Sequence, residues 1–230
     1  MDIAGLQKTT LLDFPGKVAC TVFLAGCNLR CPFCHNAALV LPERTVTPVM
    51  TQETFMAFLA TRQGKLDGVC ITGGEPTLHR DLPELLRQIK ALGFETKLDT
   101  NGTRADALES LLSAGLVDYV AMDIKNSPSR YRQTCGGVDV LPQVQRSARL
   151  LMTGVVEYEF RTTVCHPFHT PEVLREIGLW LRGAKRYFLQ SFVDSGDLVG
   201  QDVGPLTEEE LEALRTAVLP DIPNTKIRGR

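Results

Sequence analysis

The sequence predicts an α/β fold organised around a parallel β-sheet. The first indication is that short apolar runs, rich in β-branched and aromatic residues, alternate with segments whose apolar residues recur at helical spacing. The second is that 43% of the 230 residues are apolar and 23% are charged, a balance that allows a sizeable core. Repeated alternation of strand and helix is typical of βα units. It leaves two architectures open, a doubly wound open sheet and a barrel-like sheet.

Six apolar runs are the candidate strands of this sheet. They occupy residues 18–26, 68–73, 94–100, 118–124, 156–164 and 185–192. Between them, apolar residues at helical spacing predict helices near residues 82–92, 108–112 and 173–181. Thr170 followed by proline predicts an N-cap and the first position of the third helix. Thr207 with a glutamate three residues later forms a capping-box pattern that predicts a final helix.

The overall composition argues against several classes of partner. The formal net charge of -2 gives no electrostatic reason to expect nucleic acid or an anionic membrane surface. The N-terminal segment lacks an apolar core followed by a cleavage site, and no run of 18 or more uncharged apolar residues is present. We therefore expect a cytoplasmic protein whose thiols stay reduced.

Three of the seven cysteines, Cys27, Cys31 and Cys34, lie close together in the segment CNLRCPFCHN. Their odd number and a reducing compartment argue against a disulfide framework. Four interpretations remain: haem attachment through C-x-x-C-H, a Cys31/Cys34 redox dithiol, a zinc site completed by His35 or Cys165, and a [4Fe–4S] cluster held by three thiolates. The last leaves one iron open to another ligand, as a catalytic metal site requires.

The other cysteines are scattered along the chain. Cys20 and Cys70 lie in strand-like apolar runs, so both are predicted to be small buried hydrophobic side chains. No functional role is expected for the remaining cysteines and the histidines near them, Cys135, Cys165, His166 and His169.

Polar or glycine-rich elements stand at the ends of the predicted strands. They are the three-cysteine loop, GGEP at residues 73–76, DTNG at 99–102, DIK at 123–125, Arg161 within the fifth strand and Gln190 near the end of the sixth. The carboxyl ends of parallel strands meet at one edge of the sheet, and functional groups collect there. We therefore expect these six elements to form a single site.

The spacing C-x₃-C-x₂-C, with the aromatic Phe33 before the last cysteine, resembles the signature of the radical S-adenosylmethionine (SAM) enzymes. The resemblance implies one [4Fe–4S] cluster on Cys27, Cys31 and Cys34, with its open iron chelated by the amino and carboxylate groups of SAM. It also implies that an electron from the reduced cluster cleaves SAM to a 5′-deoxyadenosyl radical. No catalytic side chain is expected beyond the cluster and the cofactor.

The same resemblance implies SAM-binding roles for the polar groups at the strand ends. GGEP matches the family's motif for the methionine amino group, with close backbone approach at the glycines and a carboxylate at Glu75. Asp99 and Asn101 are expected to face the ribose or methionine end of SAM, and Lys125 to pair with its carboxylate. The complete set of expected SAM contacts is Phe33, Gly73, Gly74, Glu75, Asp99, Asn101, Lys125, Arg161 and Gln190.

Two segments are similar to one branch of this family, the glycyl-radical-enzyme activases. LDTNG and MDIK resemble pyruvate formate-lyase activating enzyme, which implies a monovalent cation beside SAM. The residues expected to hold that cation are Asp99, Thr100, Ala121 and Asp123.

The chain resembles the anaerobic ribonucleoside-triphosphate reductase activating proteins from about Gly5 to Gln190, most specifically through residues 5–36 and 72–76. That resemblance implies a partial (β/α)₆ TIM-like barrel with mainly parallel strands. A single domain is expected over residues 1–230, with a hairpin-like extension at 1–17, the barrel at about 18–192 and a C-terminal helix and tail at about 193–230. The connection from Cys34 to a helix near Thr51 is too short for a ferredoxin-like insertion.

The implied reaction removes an α-hydrogen from a glycine of a partner enzyme under anaerobic conditions. The expected partner is anaerobic ribonucleotide reductase, and a flavodoxin- or ferredoxin-type protein is the expected electron donor. Two alternatives stay open: a small-molecule radical SAM enzyme similar to 7-carboxy-7-deazaguanine synthase, and a non-catalytic iron–sulfur or zinc-binding module.

Overall fold

The computed structural model describes residues 1–41, 47–194 and 196–229. Part of the connection between Cys34 and Thr51, together with the C-terminal Arg230, lies outside these ranges. The strands are β1 (Asp2–Ile3), β2 (Gly5–Thr10), β3 (Ala19–Leu24), β4 (Met50–Thr51), β5 (Gly68–Gly73), β6 (Glu95–Thr100), β7 (Tyr119–Asp123), β8 (Glu157–Val164), β9 (Tyr187–Ser191) and β10 (Thr225–Arg228). The helices are α1 (Ala37–Val40), α2 (Gln52–Ala60), α3 (Leu82–Ala91), α4 (Ala105–Ser113), α5 (Tyr131–Thr134), α6 (Leu141–Met152), α7 (Pro171–Trp180) and α8 (Glu208–Val218), with a short 3₁₀ turn at Pro76–Leu78.

The main sheet has eight strands in the order β10-β9-β8-β7-β6-β5-β3-β2. From β3 to β10 all neighbours are parallel, whereas β2 runs antiparallel to β3. Because the order never reverses, the sheet has the single winding of a barrel and lacks the switch point of a doubly wound sheet. Within the described residues no ladder joins β10 to β2. The barrel is therefore partial, as expected, and β1 pairs separately with β4.

All six predicted strands are present, but the prediction of six parallel strands is wrong by one. The seventh, β10, has the sequence TKIR and pairs in register with β9. Its single apolar residue, Ile227, gives no periodic signal, so β10 could be recognised only from the neighbouring strand that it extends. Helix α6 was also missed, because its buried face includes the small residues Ser147 and Ala148.

The predicted starts of two helices are confirmed. The Thr170 side chain accepts a hydrogen bond from the Val173 N–H at the start of α7. At the start of α8, Thr207 and Glu210 exchange the two hydrogen bonds of a capping box, of 3.2 and 2.8 Å. The division of the chain into residues 1–17, 18–192 and 193–230 stays a prediction.

Strand alternation divides the sheet into two faces with different surroundings. Leu98, Val120 and Phe160 belong to the apolar core that also contains the buried faces of the helices. Their neighbours Asp99 and Arg161 point to the other face, which lines the inside of the barrel. Polar side chains therefore meet inside the barrel at the carboxyl ends of the strands.

The amino ends of the strands are closed by side chains. The rings of Phe14 and Tyr119 lie with centroids 6.0 Å apart. Arg228, on β10, forms a two-pronged ion pair of 2.6 and 2.8 Å with the buried Glu159. The cavity inside the barrel thus opens towards the carboxyl ends.

The helices are short. Among the described residues none is long and apolar enough to span a bilayer, the longest having 12 residues where about 20 are needed.

Candidate active site

A cavity of about 280 Å³ lies at the carboxyl ends of the parallel strands. Residues from every element predicted to contribute to the site line it. The predicted residues on its wall are Cys27, Cys31, Phe33, Cys34, Gly73, Gly74, Asp99, Thr100, Asn101, Asp123, Lys125, Arg161 and Gln190. Glu75 and Ala121 are the two predicted residues that the structure does not place on this wall.

The three-cysteine loop connects β3 to α1 and is held by its own backbone carbonyls. The Arg30 guanidinium donates to the carbonyl oxygens of Cys27 and Leu29, at 2.8 Å each. The Cys34 N–H donates to the Cys31 carbonyl oxygen at 3.0 Å. These contacts fold the loop compactly while all three cysteines line the cavity.

The chain beyond β9 covers the outside of this loop. The Val199 N–H donates to the Cys34 carbonyl oxygen at 3.2 Å, and the Gly200 N–H donates to the Pro32 carbonyl oxygen at 2.9 Å. A Cβ on Gly200 would collide with the Pro32 ring, so this crossing requires glycine. The C-terminal segment therefore supports the cysteine loop, a role for which its sequence gave no signal.

The thiols are protonated in these surroundings. Burial raises the pKa of Cys27 to about 11 and raises that of Cys34 in the same direction. For Cys31 the first cause is a hydrogen bond with Cys135, and burial adds to it. Because a bound metal converts thiols into thiolates, these three side chains become charged only when they bind one.

The glycines of GGEP bring two backbones into contact. Gly73 has φ of 121°, a value that favours glycine, and a Cβ on Gly74 would collide with the carbonyl group of Gly26. The Glu75 N–H also donates to the Gly26 carbonyl oxygen at 2.7 Å. GGEP is thereby fixed against the start of the cysteine loop and presents its glycines to the cavity.

Glu75 connects two loops instead of facing the cavity. Its side chain is fully buried, and its carboxylate accepts hydrogen bonds from the Thr77 N–H and hydroxyl, the Thr100 hydroxyl and the Asn101 N–H. Burial raises its pKa, although these hydrogen bonds act in the opposite direction. Direct contact between this carboxylate and the SAM amino group stays a prediction, which the observed hydrogen bonds do not support.

Asn101 joins DTNG to the cysteine loop. Its amide nitrogen donates to the Asn28 side-chain oxygen at 3.1 Å and lies 3.8 Å from the Cys27 sulfur. The Asn28 amide in turn donates to the Thr103 hydroxyl at 2.8 Å. Asn101 and Cys27 therefore lie side by side on the cavity wall.

A row of charged side chains crosses the inner wall of the barrel. Arg161 donates to Asp99 at 3.0 Å and to Asp123 at 2.9 Å, while Lys125 donates to Asp123 at 2.9 Å. The row ends at Lys97, which is 1% exposed and forms an ion pair with Asp99. Lys97 was not predicted, because FETKLDT also contains Glu95 and Asp99 and the lysine does not stand out as a lone charge in an apolar run.

The cavity wall also carries polar groups that were not predicted. They are Gln7, Asp13, Thr21, Thr72 and Thr163, with Asp13 accepting a hydrogen bond from Thr21 at 2.5 Å. Asp13 enters from the loop that joins β2 to β3. No sequence motif indicates that this loop turns back into the barrel.

Comparison with known proteins assigns the family. Residues 21–181 match the model of the radical SAM superfamily. The chain belongs to the radical SAM superfamily. A candidate glycyl-radical enzyme activating enzyme of Methanocaldococcus jannaschii is 30% identical over 98% of this chain and 95% of its own length. The 7-carboxy-7-deazaguanine synthase of Thermococcus kodakarensis is 27% identical over 62% of each chain.

A solved structure confirms the fold. Streptococcus suis SuiB, in a crystal structure bound to S-adenosylmethionine, superposes with a TM-score of 0.69 at 16% sequence identity. The superposition covers 91% of this chain but 52% of SuiB, so the chain spans about half the length of that protein. The prediction of a partial barrel with mainly parallel strands is thus confirmed.

The cysteine loop fits the [4Fe–4S] cluster that this family implies. Three cysteines line one cavity, yet in the described part of the chain no three His, Cys, Asp or Glu side chains could hold a single metal ion. A cluster resolves this, because each thiolate binds a different iron atom, whereas a zinc site needs convergent ligands. Cys27, Cys31 and Cys34 would hold such a cluster, and the charged row would face the SAM bound beside it.

One of the residues expected to have no role, His169, supports the radical SAM site from behind. His169, 2% exposed, packs edge-on against Phe33, with ring centroids 5.6 Å apart. Its Nδ1 lies 3.2 Å from the Cys165 N–H and its Nε2 lies 3.1 Å from the Lys125 carbonyl oxygen, so Nδ1 accepts and Nε2 donates. Burial lowers its pKa to about 4. His169 therefore connects the Phe33 ring to the strand end that carries Lys125.

Proposed function

We propose that this protein cleaves SAM reductively and uses the resulting radical to install a glycyl radical on a partner enzyme, anaerobic ribonucleotide reductase. The observation that carries the proposal is the full-length match to a candidate glycyl-radical enzyme activating enzyme, which covers 98% of this chain and 95% of that one. The synthase match covers 62% of each chain. An activase needs little more than the barrel and the cluster loop, and the described chain contains little else.

When bound, the cluster supplies one electron that splits SAM into methionine and a 5′-deoxyadenosyl radical, which takes a hydrogen atom from a glycine α-carbon and leaves as 5′-deoxyadenosine. The chain's own residues bind SAM and orient it. The GGEP backbone and Asn101 border the cluster loop on the side where the SAM amino group is expected. Lys125 and Arg161 present positive charge to its carboxylate.

The position of the cavity suits this chemistry. The cysteines, with Cys31 and Phe33 buried, form one side, and the exposed His35 lies at the rim. A low-dielectric surrounding with fixed charges favours chemistry that must exclude water. The carboxyl ends of the strands remain open to a loop of a second protein, as abstraction from a protein glycine demands.

The test is anaerobic electron paramagnetic resonance. The reconstituted, reduced protein is mixed with SAM and with anaerobic ribonucleotide reductase, and the partner's spectrum is recorded. We expect the doublet of a glycyl radical, lost when the partner's radical-bearing glycine is replaced by alanine. If the reductase carries no radical despite full cleavage of SAM, the proposed partner is refuted. Other glycyl-radical enzymes would then be tested as partners.

A small-molecule radical SAM reaction is the second candidate. The 27% identity to a 7-carboxy-7-deazaguanine synthase favours it, as do the polar side chains of the cavity wall that lie outside the charged row. It predicts turnover of a small substrate without a partner protein.

Cytoplasmic location and a flavodoxin- or ferredoxin-type electron donor are parts of the first proposal, because a glycyl radical requires a reducing, anaerobic compartment.

A further inference from the structure

The charged row inside the barrel pairs every oxygen of two carboxylates with a cationic nitrogen. Asp99 accepts from Lys97 through Oδ1 and from Arg161 Nη1 through Oδ2, the latter at 3.0 Å. Asp123 accepts from Arg161 Nε through Oδ1 and from Lys125 Nζ through Oδ2, both at 2.9 Å. Arg161 thus lies between the two aspartates and contacts both with its fork of donors.

All five groups stay ionised in this arrangement. Burial alone would raise the pKa of Asp99, but Arg161 and Lys97 outweigh it and hold the pKa below its ordinary value. For Lys97 burial acts to lower the pKa, and Asp99 outweighs it, so the pKa is raised. In the same way, Arg161 and Lys125 lower the pKa of Asp123 against the effect of burial. Asp123 raises the pKa of Lys125 against the effect of burial. The row therefore carries three positive and two negative charges.

This balance does not fit the expected monovalent cation. Asp99 and Asp123 were expected to bind it together with Thr100 and Ala121, but both carboxylates are already neutralised by side chains. The Thr100 hydroxyl donates to Glu75 at 2.8 Å and its oxygen accepts from the Gly102 N–H at 3.1 Å, so one of its two lone pairs is already in use. A metal cation would add a fourth positive charge to a row that already has one in excess, and the repulsion would be large inside a barrel of low dielectric.

We propose that the Lys97 and Arg161 side chains supply the positive charge otherwise assigned to a monovalent cation, so that this protein binds SAM without one. The inference rests on the proposed use of the cavity for SAM. Lys97 is the positioning residue that neutralises Asp99 in place of a metal cation. It is 1% exposed, lies two residues before Asp99 on the same face of β6, and holds the Asp99 oxygen that Arg161 does not reach.

The excess charge also has a use in binding. With two of the three cations balanced by Asp99 and Asp123, one positive charge remains for a ligand carboxylate. Lys125, whose side chain is 19% exposed, is the end of the row nearest the cysteines. A fixed set of side chains keeps this charge in place without an exchangeable ion.

The test measures cation binding and SAM binding on the reconstituted protein, without a partner enzyme. Equilibrium dialysis against ⁸⁶Rb⁺ with saturating SAM, in tetramethylammonium buffer, should find no stoichiometric ion on the wild type. The Kd for SAM should change less than about twofold when sodium or potassium replaces tetramethylammonium. One bound Rb⁺ per chain, or a gain of about tenfold in SAM affinity on adding sodium or potassium, would overturn the proposal.

The variant K97M removes the charge and keeps most of the side-chain volume. Its SAM affinity should fall about tenfold in tetramethylammonium and recover on adding potassium, with one Rb⁺ bound per chain. The matched control is K8M, at an exposed position of β2, which should behave as the wild type. Unchanged affinity of K97M in tetramethylammonium would contradict the proposal.

A third variant covers the case in which K97M does not fold. K97R keeps the positive charge and should remain independent of added cation, and a K97R protein that requires potassium would equally overturn the proposal. Failure of the proposed function is distinguishable from failure of this proposal. Absence of a glycyl radical on the partner would refute the function but would leave the Rb⁺ and SAM binding measurements unaffected.

Discussion

The Glu75 carboxylate accepts a hydrogen bond of 2.6 Å from the Asn101 N–H, and this contact joins the two loops that border the cavity. Its other oxygen accepts from the Thr77 N–H and from the hydroxyls of Thr77 and Thr100. The most prominent acidic residue of the GGEP motif is therefore, in this structure, a buried connection between GGEP and DTNG.

The variant E75Q should lose stability because an amide cannot accept at both ends. In either orientation its NH₂ group faces a backbone or hydroxyl donor, at a cost of about 1–3 kcal/mol in the free energy of unfolding. Urea unfolding of the cluster-free protein measures the loss. The control E209Q, at an exposed position of α8, should change stability by less than about 0.5 kcal/mol. Equal stability of E75Q and wild type would show that the carboxylate does not connect the loops.

The variant G74A should separate the cysteine loop from GGEP. Its new methyl group would collide with the Gly26 carbonyl group, so one of the two backbones must move, at a cost of about 1–3 kcal/mol. G204A is the matched control, because a Cβ there meets no atom within 4 Å and its φ is not positive. Thermal unfolding of both variants, with SAM binding by calorimetry, distinguishes them. G74A should be impaired in both measurements and G204A in neither.

The prediction for the cysteines concerns which of them bind iron. Replacing Cys27, Cys31 or Cys34 by alanine should reduce iron and sulfide after anaerobic reconstitution to below about a tenth of the wild-type content, since each holds its own iron. C135A should retain the cluster even though Cys135 contacts Cys31. Loss of the cluster in C135A would make Cys135 a fourth ligand and contradict an open iron.

Because of His169, the free energy of unfolding of the cluster-free protein should decrease as the pH is lowered. Burial lowers its pKa to about 4, so between pH 6.5 and 4 the unfolded chain binds a proton that the folded chain does not. Stability therefore decreases as the pH falls through this range, and H169Q should lack that part of the decrease. At pH 4.5 the difference between wild type and H169Q should have narrowed by about 2–3 kcal/mol relative to pH 7.5. Urea unfolding at the two pH values measures it, and parallel pH profiles would contradict the assignment.

The sequence predicted the parts of the fold that local pattern determines. Six strands and the starts of α7 and α8 were recognised because apolar periodicity and capping residues are local signals. Strand β10 was missed because its pairing with β9 is a non-local contact. The collection of polar groups at one edge of the sheet was predicted because strand topology requires it.

The partners of the site residues could not be read from the sequence. Glu75 turns away from the cavity because Thr100 and Asn101, 25 and 26 residues later, satisfy its carboxylate. Lys97 was passed over because strand alternation alone does not reveal that Asp99 lies beside Arg161 of β8. Both outcomes depend on contacts between segments far apart in the chain.

The central claim is that the hydrogen atom comes from a glycine of a partner protein, and isotope transfer tests it most directly. Anaerobic ribonucleotide reductase labelled with α-deuterated glycine is incubated with the reduced protein and SAM, and the 5′-deoxyadenosine is analysed by mass spectrometry. The account predicts that deuterium appears in 5′-deoxyadenosine together with the glycyl radical. Full SAM cleavage with unlabelled 5′-deoxyadenosine would contradict it and favour a small-molecule substrate.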